Sequence, residues 1–141
     1  MYAVAHGPLT SAAGVSRKAR AMWATFLTAL AIGVACEMGA ALGRLWVYRR
    51  PLYRVLNVVL VFGLMMGGIA TLAGRLGLGG VFAVGFSIGL AYEALNLAWL
   101  DWWFFPDDRL MVLRGKPACA AGVAVAWGLV PVAIVLARGL A

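Results

Sequence analysis

The chain has 141 residues, of which 65% are hydrophobic and only 12% are Asp, Glu, Lys or Arg, about half the charged share of an ordinary soluble domain. This composition excludes a disordered segment and a soluble monomer, because so short a chain cannot bury that much apolar surface in one core. Cys36 and Cys119 are its only cysteines, so a secreted disulfide-rich domain is excluded as well.

The apolar residues fall into four stretches, each long enough to cross a bilayer, whose hydrocarbon core of about 30 Å needs roughly 20 helical residues. Their continuous apolar character favours helices over a β-barrel, whose strands alternate in polarity. The sequence therefore predicts an all-α integral membrane protein, a bundle of four transmembrane helices at residues 22–43, 55–73, 77–100 and 117–137.

Polar segments separate these predicted helices. Residues 1–21 form a basic N-terminal arm with His6, and we expect the arm to stay attached, because the apolar stretch after it is too long for a cleaved signal peptide. Residues 49–51, with Pro51, and the glycine-rich residues 74–80 are short turns. The third connection, residues 101–116, is the longest.

The basic residues flank the predicted helices. The net charge of +7 therefore indicates contact with anionic lipid headgroups rather than with nucleic acid. Seven Lys and Arg residues lie beside the first and third loops and five on the side of the termini, which favours cytoplasmic first and third loops. A composition with ten Arg, two Lys and abundant Ala and Gly is typical of a GC-rich bacterial genome, and predicts a multi-pass protein of the bacterial inner membrane.

Aromatic residues cluster after the first and third predicted helices, where amphipathic rings anchor a protein at the membrane surface. The third loop also carries acidic and basic residues at the same membrane–water interface. An alternative interpretation of this loop is a capped helix end followed by a simple turn. The candidates for interfacial contact are Trp46, Asp101, Trp102, Trp103, Asp107, Asp108 and Arg109.

The sequence contains an internal similarity at a shift of 56 residues. It superposes the only two glutamates of the chain, Glu37 and Glu93, together with a Trp nine positions later. We therefore predict two parallel helical-hairpin repeats, residues 22–76 and 77–141, related by an axis along the membrane normal. The identical pairs are Phe26/Phe82, Ile32/Ile88, Gly33/Gly89, Ala35/Ala91, Glu37/Glu93 and Trp46/Trp102.

Both glutamates fall inside predicted membrane helices, where an ionised carboxylate is costly and needs a partner or a proton. Arg44 follows Glu37 by two helical turns and is its expected partner, whereas Glu93 has only Asn96 nearby and is expected to carry a proton. Glu37, Glu93, Asn96 and Arg44 are thus the candidate ion- or substrate-binding residues. The alternative is that each glutamate only bonds a neighbouring helix and holds the bundle together.

The sequence gives little support for an enzymatic function. His6 is the only histidine, and by itself it cannot form a zinc site or a catalytic Ser-His pair. No catalytic residue, metal or cofactor is predicted. The favoured function is a small transporter or channel for protons, cations or a small solute, acting as a homo-oligomer because four helices hardly enclose a wide pathway. The alternatives are a non-catalytic subunit or assembly factor of a larger membrane complex and, with less support, a lipid-binding protein.

Overall fold

The computed structural model describes residues 12–140, and four helices account for most of them. Each helix is long and apolar enough to cross a membrane, which confirms the predicted number. His6 and most of the N-terminal arm lie outside the described residues, but residues 12–21 already belong to the first helix. The helices are α1 (Ala12–Gly43), α2 (Pro51–Ala70), α3 (Ala73–Leu100) and α4 (Lys116–Arg138).

The beginnings of α2 and α3 also differ from the predicted ones. α2 begins at Pro51 and not at residue 55, because proline fits the first helical turn, where its missing N–H has no partner to lose. The chain turns at Thr71 and Leu72, after which α3 begins at Ala73, and a kink inside the glycine-rich segment predicted as a turn at residues 74–80 divides α3. Within that segment only Gly77 leaves the helical conformation, with a φ of 65°.

Two of the helices contain π-helical segments, Asn57–Met66 in α2 and Asn96–Leu100 in α3. The π-helix is rare, occurs mostly as single turns within α-helices and is frequent at functional sites. Both segments begin at a buried asparagine, and the amides of these two residues bond to groups in the protein interior rather than to solvent.

The first and third loops lie together at one end of the bundle. Strand β1 (Val47–Tyr48) pairs with β2 (Trp103–Phe104) in antiparallel register, with Tyr48 opposite Trp103. A second two-residue pair, β3 (Arg109–Leu110) and β4 (Leu113–Arg114), forms within the third loop. The β1–β2 ladder thus joins the α1–α2 hairpin to the α3–α4 hairpin.

Glycines let the helices of each hairpin approach closely. Gly33 of α1 lies against the side chain of Phe62 in α2, and Gly63 of α2 lies against Phe26 in α1. α3 and α4 have the most extensive contact in the described part of the chain. They also pack with a glycine of one helix against a large side chain of the other. There the two contacts are Gly89 with Trp127 and Gly128 with Phe82.

α4 is the most enclosed helix and α1 among the least. Within the apolar window of α4, 56% of the residues are buried, against 22% in α1. The outer face of α1 carries large apolar side chains such as Trp23, Met38 and Leu42 that are mostly exposed. An apolar surface of this extent needs lipid or another apolar partner to cover it.

The glycine contacts generate a stability prediction. A Cβ at residue 33 would lie 2.6 Å from Cβ of Phe62, and one at residue 89 would overlap Trp127, whereas one at Gly39 would meet nothing within 4 Å. We expect Gly33→Ala and Gly89→Ala each to lower the free energy of unfolding by about 1–3 kcal/mol through overpacking. The matched control Gly39→Ala should be neutral or slightly stabilising. The free energies of unfolding are measured in detergent micelles by circular dichroism. Equal stability of all three variants would contradict these glycine contacts.

Candidate functional site

A cavity of about 330 Å³ lies inside the bundle near the end that carries the first and third loops. All four helices and both of these loops contribute to its lining, which is mainly apolar. Glu37 from α1 and Glu93 from α3 both line it. The polar and aromatic residues around these carboxylates include Tyr48, Asn57, Trp103 and Trp127.

Glu37 has two hydrogen-bond donors at Oε1 and a cation facing Oε2, although Oε2 itself accepts no hydrogen bond. Its side chain is 4% exposed, and its Oε1 accepts hydrogen bonds from the Tyr48 hydroxyl at 2.6 Å and from Nδ2 of Asn57 at 3.0 Å. The Nε of Arg54 lies 3.8 Å from Oε2. Asn57 is itself held by the hydroxyl of Tyr92, which donates to its Oδ1 at 3.3 Å. This network stabilises an ionised Glu37 through one cation and two hydrogen-bond donors.

Tyr48 remains a hydrogen-bond donor over the whole physiological pH range. Burial of its hydroxyl, together with the neighbouring Glu37 carboxylate, raises the pKa of Tyr48 well above its usual value. A phenolate beside the carboxylate would place two negative charges in contact in a poorly solvated site. The hydrogen bond from Tyr48 to Glu37 is therefore not expected to titrate near neutral pH.

Glu93 is compensated far less completely. Its side chain has no exposed surface, and its Oε1 accepts one hydrogen bond, from Nε1 of Trp127 at 3.1 Å. Among the described residues, the buried Oε2 has no hydrogen-bond partner of acceptable geometry, and no basic side chain lies within 4.0 Å of the carboxylate. A charge on Glu93 without a counter-ion would carry a desolvation cost of several kcal/mol, so this site requires a proton or a cation.

Two of the four predicted site residues have other roles. Arg44 does not pair with Glu37: α1 ends at Gly43, and Arg44 adopts a left-handed conformation with a φ of 48° and an exposed side chain. The basic partner is Arg54 from α2. Asn96 does not contact Glu93 through a hydrogen bond: its Oδ1 accepts from the Trp102 N–H and its Nδ2 donates to the Trp103 carbonyl, each at 2.9 Å.

The residues predicted to contact the membrane surface divide into buried and exposed ones. Trp103 is 4% exposed and lines the cavity, as does the half-buried Trp46. Trp102 stacks on Tyr53 with ring centroids 5.1 Å apart. The charged members of the group are all exposed: Asp101 pairs with Arg49 at 3.1 Å, Asp107 and Asp108 form a left-handed turn, and Arg109 donates to the Met111 carbonyl.

The sequence interpretation missed several residues of the site. Tyr48 and Trp103 were assigned to the membrane surface with the other aromatics, and Arg54 was only counted as a flanking charge. Asn57 carried a usable signal, because a polar amide at the start of an apolar helix has to bond inside the protein. Trp127, in the middle of the last helix, carried the same signal through its indole N–H.

No family model, curated protein or solved structure matches this chain. Within residues 12–140 no three His, Cys, Asp or Glu side chains come together in a group that could hold a metal ion. The main functional feature of residues 12–140 is the cavity with its two unequal carboxylates.

The network around Glu37 generates a second prediction. Asn57→Ala removes one donor from the carboxylate and the acceptor of Tyr92. We expect the free energy of unfolding to fall by about 1–3 kcal/mol, because buried polar groups are left without partners. Ser87→Ala, at an exposed position of α3, is the control and should be close to neutral. If the two variants unfold together in a denaturant titration, the network does not stabilise Glu37.

Proposed function

We propose that this protein spans the membrane with its four helices and transports a proton or a small cation, which binds at Glu93. The observation that carries the proposal is that the fully buried Glu93 lines a cavity shared with Glu37 and that its buried Oε2 has neither a hydrogen-bond partner nor a cation beside it. A buried carboxylate that lacks a counter-ion is a binding site for positive charge. Oε2 of Glu37 also accepts no hydrogen bond, but Arg54 faces it at 3.8 Å, whereas no basic side chain of the described residues lies within 4.0 Å of Glu93.

The two carboxylates have different roles in this proposal. Glu37 keeps its charge, because Arg54, Tyr48 and Asn57 compensate it. Glu93 exchanges its proton or cation with one or both sides of the membrane. Two equal carboxylates in one apolar cavity would both resist ionisation, so the compensation of Glu37 leaves a single exchangeable charge.

We further propose that the chain consists of two parallel helical-hairpin repeats. The glycine contacts support this, because α1 and α3 correspond at the shift of 56 residues and their partners in α2 and α4 correspond at a shift of 65. The antiparallel pairing of β1 with β2, the segments that follow α1 and α3, is also the arrangement expected of two copies around a two-fold axis. The corresponding residues are Phe26 and Phe82, Gly33 and Gly89, Phe62 and Trp127, and Gly63 and Gly128.

A second candidate function is that of an accessory subunit or assembly factor of a larger membrane complex. The observation that favours it is the turn between β3 and β4, where Met111 is 70% and Val112 is 87% exposed. Apolar residues at the tip of a loop need a lipid or protein partner, and the lipid-binding alternative uses the same feature. Self-association and a location in the bacterial inner membrane remain part of the first proposal.

Flux measurements test the transport function. We expect purified protein in liposomes to carry protons along a pH gradient, and Glu93→Gln to reduce this flux at least about tenfold, because a neutral amide neither binds nor releases a proton. Asp107→Asn is the matched control: it changes an exposed acid on a left-handed turn, a conformation that Asn tolerates, and should leave the flux unchanged.

Two results would contradict transport. One is a Glu93→Gln variant that is folded by circular dichroism and carries protons as fast as the unchanged protein. The other is an inactive unchanged protein that purifies from native membranes only together with unrelated subunits, which would favour the accessory role.

A further inference from the structure

We infer that the cation held at Glu93 is an amphipathic organic cation, a single ammonium group on an apolar or aromatic body. This inference rests on the proposed function and specifies its substrate class. It follows from the kind of cavity that surrounds the carboxylate, from the aromatic rings beside Glu93, and from the place where the cavity meets the outside of the bundle.

The cavity offers charge but few oxygen ligands. Inorganic cations such as Mg²⁺ and Ca²⁺ take six or more oxygen ligands. Here Oε1 of Glu37 is bonded to Tyr48 and Oδ1 of Asn57 to Tyr92. The two Oε2 atoms of the glutamates are therefore the main side-chain oxygens left without a hydrogen bond, too few for such a shell. The rest of the lining is apolar. An organic cation needs no such shell, because its apolar body replaces water at the cavity surface while one carboxylate balances its charge.

Trp127 bonds Glu93 through its indole N–H, and further aromatic rings pack around Trp127. Tyr92 lies 5.2 Å from Trp103 and 5.8 Å from Trp127 between ring centroids, and Phe62 lies 5.0 Å from Trp127. Trp103, Trp127 and Phe62 line the cavity. Tryptophan faces attract organic ammonium groups, and this attraction increases when water is excluded. The site thus combines one counter-ion with aromatic surfaces, and a volume of about 330 Å³ falls at the lower end of small-molecule sites.

The cavity also reaches the outer surface between α1 and α4. Ala35 and Gly39 of α1 and Ala126 of α4 line it and are at the same time exposed on the outside of the bundle. Small side chains leave this side open, and it faces the lipid if the helices span the membrane as proposed. Molecules that partition into the bilayer are amphipathic, so this opening admits the same class of ligand that the cavity lining favours.

Three related probes test the substrate class by titration calorimetry and tryptophan fluorescence of the full chain in detergent. Benzyltrimethylammonium has both charge and apolar body, neopentylbenzene is its neutral isostere, and tetramethylammonium keeps the charge without the body. We expect the first probe to bind at least about tenfold more tightly than either of the others. Glu93→Gln should remove the preference for the cation over its isostere, while Asp107→Asn should retain it.

The opening between α1 and α4 is tested by Gly39→Leu. A side chain at this position meets no neighbouring atom within 4 Å of its Cβ, so the variant is expected to fold and to slow both binding and release of benzyltrimethylammonium severalfold. Gly79→Leu, equally free of neighbours and outside the cavity lining, is the matched control and should have unchanged rates. This comparison remains decisive if Glu93→Gln fails to fold.

The possible failures are distinguishable. Equal binding of benzyltrimethylammonium and neopentylbenzene, or binding of tetramethylammonium as tight as that of the larger cation, would overturn the substrate class. A proton flux that depends on Glu93 would still uphold transport in either case. Conversely, selective binding of the organic cation without any flux would overturn transport and leave a binding protein for this ligand class.

Discussion

The structure depends on how two carboxylates are neutralised within an apolar bundle. Placing an isolated ionised carboxylate in a protein interior costs several kcal/mol even after relaxation, a large part of the 5–15 kcal/mol by which a typical protein is stable. Glu37 and Glu93 are 4% and 0% exposed, so each has to be compensated or neutral. Arg54, Tyr48 and Asn57 surround the first, whereas a single indole N–H reaches the second.

The loops contribute to the unequal compensation of Glu37 and Glu93 at least as much as the helices do. Tyr48 lies in β1, and its antiparallel pairing with Trp103 of β2 positions the phenol over Glu37. Asn96 fixes the same arrangement from the other side, because its amide bonds to the backbone of Trp102 and Trp103. The short ladder therefore orients a hydrogen-bond donor toward one carboxylate and an aromatic ring into the cavity beside the other.

The sequence was sufficient for the number and character of the helices, because membrane hydropathy is a property of each segment by itself. It was insufficient for partners that the fold brings together. Arg44 was the nearest basic residue along the chain, but α1 ends at Gly43 and the helical spacing no longer applies. Arg54 comes from the next helix. Trp103 is of the residue type that anchors proteins at a membrane surface. Only the β1–β2 pairing turns it into the interior, where it is 4% exposed.

The unequal state of the two glutamates follows from one further difference between the hairpins. In α1 and in α3 a glycine precedes the glutamate by four residues, which places both on the same helical face. Each glycine admits an aromatic side chain from the following helix: Phe62 at Gly33 and Trp127 at Gly89. Trp127 reaches Glu93 with its indole N–H, but phenylalanine has no donor to offer.

Glu37 therefore obtains its donors from elsewhere, from β1 and from the first turns of α2, and these also supply the guanidinium of Arg54. Trp127 packs on Gly89 and satisfies one oxygen of Glu93, and no guanidinium of the described residues lies within 4.0 Å of this carboxylate. The residue that packs the second hairpin is thus also the hydrogen-bond donor to its carboxylate, and in the proposed function the other oxygen, which accepts no hydrogen bond, binds the cation.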